Sequence, residues 1–142
     1  RKSSRTVYKM TLDTINKRIY YHDTDCGGVV YYGNYLKYCE EGRSEYLRHR
    51  GITLSALAKE GIYFVVTCAD IQYKSPARYG DEITVCTKLE KTKAASLEFY
   101  QQISRDKTTL VQCRTKMACI NQEFAPQPIP SEIALLFSEK IV

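Results

Sequence analysis

Apolar spacing changes once along this chain, and the change fixes the fold class. Between Tyr35 and Tyr46 the apolar or small positions fall at Tyr35, Tyr38, Cys39, Gly42 and Tyr46, the i, i+3, i+4, i+7, i+11 series of one helical face. Later in the chain the period is two. Ile83, Val85, Thr87 and Leu89 share a face of "ITVCTKLE"; Ala95, Leu97, Phe99 and Ile103 share one in "ASLEFYQQI"; Val111, Cys113, Met117 and Cys119 share one in "LVQCRTKMACI". Three alternating strands in succession predict an antiparallel sheet with one covered face. A helix with one apolar stripe must bury it, so the pattern predicts a two-layer α+β domain: one long helix lying across a curved antiparallel sheet.

The remaining elements follow from local signals. Gly51 after "RHR" reads as a helix stop, with Arg48, His49 and Arg50 near the negative end of the helix dipole. The long helix is expected over Tyr32 to Arg50, about 27 Å at 1.5 Å per residue. A short helical piece, "LSALAKEG", follows it, and "KRIYY" is expected as the opening strand. "GIYFVVTCADIQY" is apolar at nearly every position of its first half, which predicts a central strand covered on both sides, with Val65 and Val66 in the core. In the tail "APQPIPSEIALLFSEKIV", three prolines precede a short apolar helix expected to begin near Pro130 or Ser131.

A chain of 142 residues fits a single domain, placed here over 10–142. The nine residues before Met10 are set aside as a natural extension or an added segment. No run of about 18 apolar residues and no signal-peptide core is present, so a cytoplasmic protein without membrane insertion is expected. Six cysteines lack the paired spacing of a metal or redox site, so no metal is expected, and most fall within apolar patterns, as buried thiols in a reducing compartment do. The net charge of +5 is scattered, as in "QYKSPARYGD", rather than gathered into a stripe for nucleic acid. It suits an anionic ligand with several phosphates.

"YYHDTDCGGVVYYGNYL", from Tyr20 to Leu36, carries the chemistry. Asp25 precedes a Gly-Gly pair and stands seven residues before Tyr32. Glycines allow a sharp turn and close backbone approach, and a helix start supplies unpaired N–H donors and positive dipole. An acid beside an oxyanion cradle is what hydrolysis of an activated acyl group needs. The same residues also describe an Asx-turn leading into a helix, with acids favoured there by the dipole.

The stretch "RIYYHDTDCGGVVYYGNYLKYCEEGRSEYLRHRGI" resembles the hotdog-fold acyl-CoA thioesterases, closest to the group of the 4-hydroxybenzoyl-CoA and Tol-Pal-associated thioesterases. The pattern D-x-D-x-x-G-V/I-V-x-x-x-N-Y carries the resemblance, which extends more weakly through "FVVTCADIQYKSPARYGDEITV" to about Asn121. It implies a hotdog fold and hydrolysis of acyl-CoA, with coenzyme A entering as part of the substrate and no separate cofactor. It also implies dimers or tetramers with the site between subunits. Asp25 falls at the family's nucleophile or general base, and Tyr32 at the position whose backbone N–H polarises the thioester carbonyl. Many Tol-Pal-type members carry histidine where Tyr32 stands, which bears on acyl specificity.

Asn34 is a candidate brace for the Asp25 loop and substrate-side contact. Arg78, Lys91 and Lys93, with Lys74, are candidate contacts to the phosphates of coenzyme A. His22 reads as solvent-facing, Glu40 and Glu41 as solvated helical acids, and Cys26 as a small residue in a tight turn. The alternative function for such a chain is a non-catalytic acyl-CoA or fatty-acid binding module.

Overall fold

A computed structural model describes residues 12–137. The boundary expected at Met10 and the nine residues before it lie outside the described residues. Strand β1 (Leu12–Arg18) leads through a single 3₁₀ turn at Tyr21–Asp23 to α1 (Asn34–His49) and α2 (Leu54–Lys59). Strands β2 (Tyr63–Tyr73), β3 (Glu82–Thr92), β4 (Ser96–Arg105) and β5 (Thr108–Ile120) follow, and then α3 (Ser131–Phe137). The five strands form one antiparallel sheet in the order β1-β3-β4-β5-β2.

The helix lies on the sheet as the spacing predicts, burying Tyr35, Tyr38, Cys39, Gly42 and Tyr46, with Arg43 and Leu47 as well. Gly42 sets how closely the two layers approach. A Cβ there would stand 2.7 Å from Thr87 Oγ1, 2.8 Å from Gln101 Nε2 and 2.9 Å from Val85 Cγ1. Apolar side chains gather in two clusters. One holds Ile19, Tyr38, Val85, Ile103 and Val111; the other holds Tyr46, Leu89, Leu97, Phe99 and Cys119.

A buried polar group stands where each element passes from one cluster to the other. Gln101 falls between Phe99 and Ile103, Thr87 between Val85 and Leu89, Thr115 between Cys113 and Cys119, and Arg43 between Cys39 and Tyr46. They satisfy one another: Arg43 Nη1 donates to Gln101 Oε1 (3.1 Å), and Gln101 Nε2 donates to Thr87 Oγ1 (2.9 Å) and Cys39 O (2.7 Å). Buried polar groups need such partners, because losing one leaves the other desolvated and unpaired.

Three expectations are corrected. The opening strand is Leu12–Arg18 and not "KRIYY", because the chain coils at Tyr20. There Asp23 Oδ2 accepts from Tyr20 N–H (2.8 Å) and Asp23 N–H donates to Tyr20 O (3.0 Å), which closes a turn in place of a ladder. The long helix begins at Asn34, two residues later than expected, and ends at His49. Strand β2 is an edge strand and not a central one. Ile62 is buried and Phe64 packs against the core, but Val65 is only half-buried, Val66 is 48% exposed and residues 66–70 are all exposed, so Val65 and Val66 are not core within the protomer.

Candidate functional site

The two acids of the Asp-Thr-Asp run have separate surroundings. Asp23 is buried, its carboxylate holds the Tyr20 N–H, and His22 Nε2 lies 3.8 Å from its other oxygen. The three-residue offset from Tyr20 to Asp23 is a capping spacing, but Tyr20 is not a capping residue type, so the sequence alone does not assign this acid to structure. Asp25 is exposed. Its Oδ1 accepts from Gly27 N–H (2.9 Å), and among the described residues Oδ2 has no partner.

A hairpin connects Asp25 to the helix. Asp25 N–H donates to Val29 O (2.9 Å), Thr24 pairs with Val30, and Tyr31 N–H donates to Asp23 O (3.1 Å). Gly28, at φ +79°, makes the reversal possible, its N–H donating to Asp25 O (3.0 Å). The returning arm runs straight into the first turn of α1, where Asn34 N–H reaches Tyr31 O and Tyr35 N–H reaches Tyr32 O. Among the described residues, nothing accepts from the Tyr32 or Gly33 N–H. These are the unpaired donors expected at the positive end of a helix, although Tyr32 precedes the helix rather than opening it. The Asx-turn reading and the acid-beside-donors reading therefore describe one arrangement.

Asn34 braces it: its Nδ2 donates to Asp23 O at 2.8 Å. Beside Tyr32 a cleft of about 230 Å³ is lined by Val30, Tyr32, Tyr35, Tyr73, Lys74, Ser75 and Pro76. Tyr35 Oη accepts from Ala77 N–H (2.9 Å). Burial pushes the Tyr35 phenol up, and burial likewise raises Tyr73. Tyr73 escaped the sequence reading because it closes a strand whose alternation gives no sign of where the strand ends relative to the helix start.

The cations divide. Arg78 is paired through its backbone with Val29, so it stands next to the Asp25 turn, with its side chain exposed. Lys91 and Lys93 lie at the other end of β3, about 30 Å away at the rise of an extended strand, and Lys93 Nζ is 3.9 Å from Glu98 Oε2. The His22 side chain is 82% exposed, and Glu40 is exposed with Oε2 accepting from Ser44 Oγ (2.9 Å). Cys26 and Cys68 are exposed thiols, whereas Cys39, Cys113 and Cys119 are buried. Among the described residues no three metal-binding side chains converge, and no helix is long and apolar enough to cross a membrane.

A family model described as the thioesterase-like superfamily matches residues 20–137. The chain is 34% identical over 124 residues to the acyl-CoA thioester hydrolase YbgC of Escherichia coli, covering 86% of this chain and 92% of that protein. The crystal structure of a probable thioesterase from Bartonella henselae matches with a TM-score of 0.81 and 34% identity, over 84% of this chain and 99% of that one. At 18% identity, 4-hydroxybenzoyl-CoA thioesterase from Pseudomonas sp. strain CBS-3 shares the fold with a TM-score of 0.81, over 89% of this chain and 99% of that one.

Proposed function

The chain belongs to the thioesterase-like superfamily, and on that premise we propose that its Asp25 carboxylate and the Tyr32 N–H act together on the carbonyl of a bound thioester. The fold is the hotdog fold, and the protein is an acyl-CoA thioesterase: RCO–S–CoA and water give the free acid and coenzyme A thiol.

One observation supports this division of labour. Of two neighbouring acids, one is consumed by the turn, while the other has an oxygen fixed by Gly27 N–H and, among the described residues, an oxygen left open, on a hairpin that ends in amides with no partner among those residues. The open oxygen supplies the electron pair, either to the carbonyl carbon directly or by taking a proton from the attacking water. Charge builds on the carbonyl oxygen as the new bond forms, and the Tyr32 N–H stabilises it without rearranging. The C–S bond then breaks, and the departing thiolate takes a proton.

Asp25→Asn tests the assignment. Thiol release from aromatic, short-chain and long-chain acyl-CoAs should fall by about 10² to 10⁴, the usual contribution of a positioned acid or base. Turnover equal to the native protein's would remove Asp25 from the chemistry. Transfer of ¹⁸O from solvent into the Asp25 carboxylate during turnover would mark direct attack, because water that attacks the aspartyl carbon of an acyl-aspartyl anhydride leaves its oxygen there and sends the bridging oxygen out with the acid.

The assembly we propose is a homodimer joined along β2, with the site between protomers. The support is the state of that edge: residues 66–70 are exposed, among the described residues no strand pairs with the outer side of β2, and Tyr73 meets Tyr32 edge-on at 6.0 Å where β2 reaches the cleft. Lys91 and Lys93 would reach the substrate's phosphates only from a second protomer. The exposed thiols Cys26 and Cys68 suit a reducing compartment such as the cytoplasm.

A further inference from the structure

The turn that carries Arg78 also lifts Tyr79 into solvent, where it meets Tyr21 of the 3₁₀ turn. Tyr21 is 78% exposed and Tyr79 is 62% exposed, and their rings meet edge-to-face with centroids 5.9 Å apart. Two large rings held in water against each other are costly unless something covers them.

The mounting is rigid. Arg78 N–H donates to Asp81 Oδ2 (2.8 Å), Asp81 N–H returns to Arg78 O (3.0 Å), and Gly80 at φ +87° closes the turn. Arg105 Nη1 holds Asp81 Oδ2 (2.8 Å) and Pro76 O (3.1 Å) from one side. From the other, Arg18 Nη1 donates to Gly80 O (2.9 Å), and Gly80 N–H donates to Ile19 O (2.9 Å). These bonds occupy Arg18, Arg105 and Asp81. Among the described residues the Arg78 guanidinium has no partner.

The platform is also tied to the site. Val29 pairs with Arg78, and Tyr79 N–H reaches Gly28 O at 3.5 Å, so the main chain bearing the ring touches the hairpin that carries Asp25. A ligand seated on Tyr79 would be held by a rigid extension of that hairpin.

We propose that Tyr21, Tyr79 and Arg78 bind the adenine nucleotide end of coenzyme A, the base against the tyrosine rings and a phosphate on the guanidinium. This rests on the acyl-CoA thioesterase reading and deepens it. An aromatic face takes any purine, a free guanidinium takes a phosphate by a forked pair of hydrogen bonds, and the two stand on adjacent residues. The site then distinguishes free acyl-CoA from the same acyl group on a carrier protein, whose pantetheine arm bears no adenine.

The test compares one acyl group, the one turned over fastest, on coenzyme A and on pantetheine alone. Tyr79→Ala should raise KM for the acyl-CoA about tenfold, within what stacking one base contributes, with kcat held and no matching loss on acyl-pantetheine. Tyr79→Phe, which keeps the ring, should restore KM. Arg78→Gln should raise KM for the acyl-CoA alone and flatten its salt dependence. Binding of adenosine 3′,5′-bisphosphate, measured calorimetrically on Asp25→Asn protein, should weaken about tenfold with Tyr79→Ala added. Equal losses on both substrates, or no change in either KM or nucleotide affinity, would overturn the proposal. Because nucleotide binding is read without turnover, it is separable from failure of the Asp25 assignment.

Discussion

The side-chain amide of Asn34 donates to the main-chain oxygen of Asp23 at 2.8 Å, fastening the first turn of α1 to the hairpin arm that leads into Asp25. Asn34→Ala should therefore cost stability of about 0.5 to 1.5 kcal/mol, the net value of one such bond. It should also lower kcat by about tenfold to a hundredfold, since a small displacement of a reacting group has that effect. Urea unfolding and thiol release measure the two. A loss of stability with unchanged kcat would show that the brace does not align the site.

Gly42→Ala tests the spacing of helix and sheet. The added methyl meets Thr87, Gln101 and Val85 at under 3 Å, and the first two belong to the buried polar band. Overpacking of this kind costs about 1 to 3 kcal/mol. A variant as stable as the native protein would mean that the layers separate freely.

Alkaline titration should divide the twelve tyrosines. Burial raises the Tyr38 phenol, with the Asp23 carboxylate alongside adding to it, and burial raises Tyr35. In the unfolded chain both lose their protons near pH 10. Above that pH the native state retains protons that the unfolded state has lost, so stability falls as pH rises. Absorbance at 295 nm should show Tyr35 and Tyr38 ionising above pH 10, together with unfolding. Replacement of both by Phe should weaken that alkaline fall in stability; an unchanged profile would assign it to other groups.

Val66→Lys places a charge on the outer part of β2. If that edge pairs with a second copy, sedimentation should show a shift toward monomer, with loss of activity in parallel and little change in far-UV circular dichroism. An unshifted oligomer would move the interface elsewhere.

Much of the fold was legible because period and burial coincide. Tyr35, Tyr38, Cys39, Gly42 and Tyr46 face the sheet as their spacing says, and Val85, Phe99 and Val111 fall on the covered face of their strands. What was not legible had one cause: a polar letter reads as exposed. Gln101 lies in phase with Phe99 and Ile103, so strict alternation would have buried it, yet its amide argued the other way until Arg43 and Thr87 were seen to satisfy it. The reverse happened in β2, where an apolar run reads alike whether its cover comes from the same chain or from another. At the site, Asp25, Gly28 and Asn34 were recognisable as a motif. The structural part of Asp23 became plain only with the bond to Tyr20 N–H in view.

The acid and the unpaired amides share a single local hairpin, stitched by bonds from Asp25 to Val29 and from Tyr31 to Asp23 and riding on one end of α1. Breathing of the sheet beneath, or a slight roll of the helix across it, carries both in the same direction by the same amount. On the proposed assignment of Asp25 and the Tyr32 N–H, core substitutions that lower the melting temperature should therefore leave the per-molecule rate of the still-folded population largely intact.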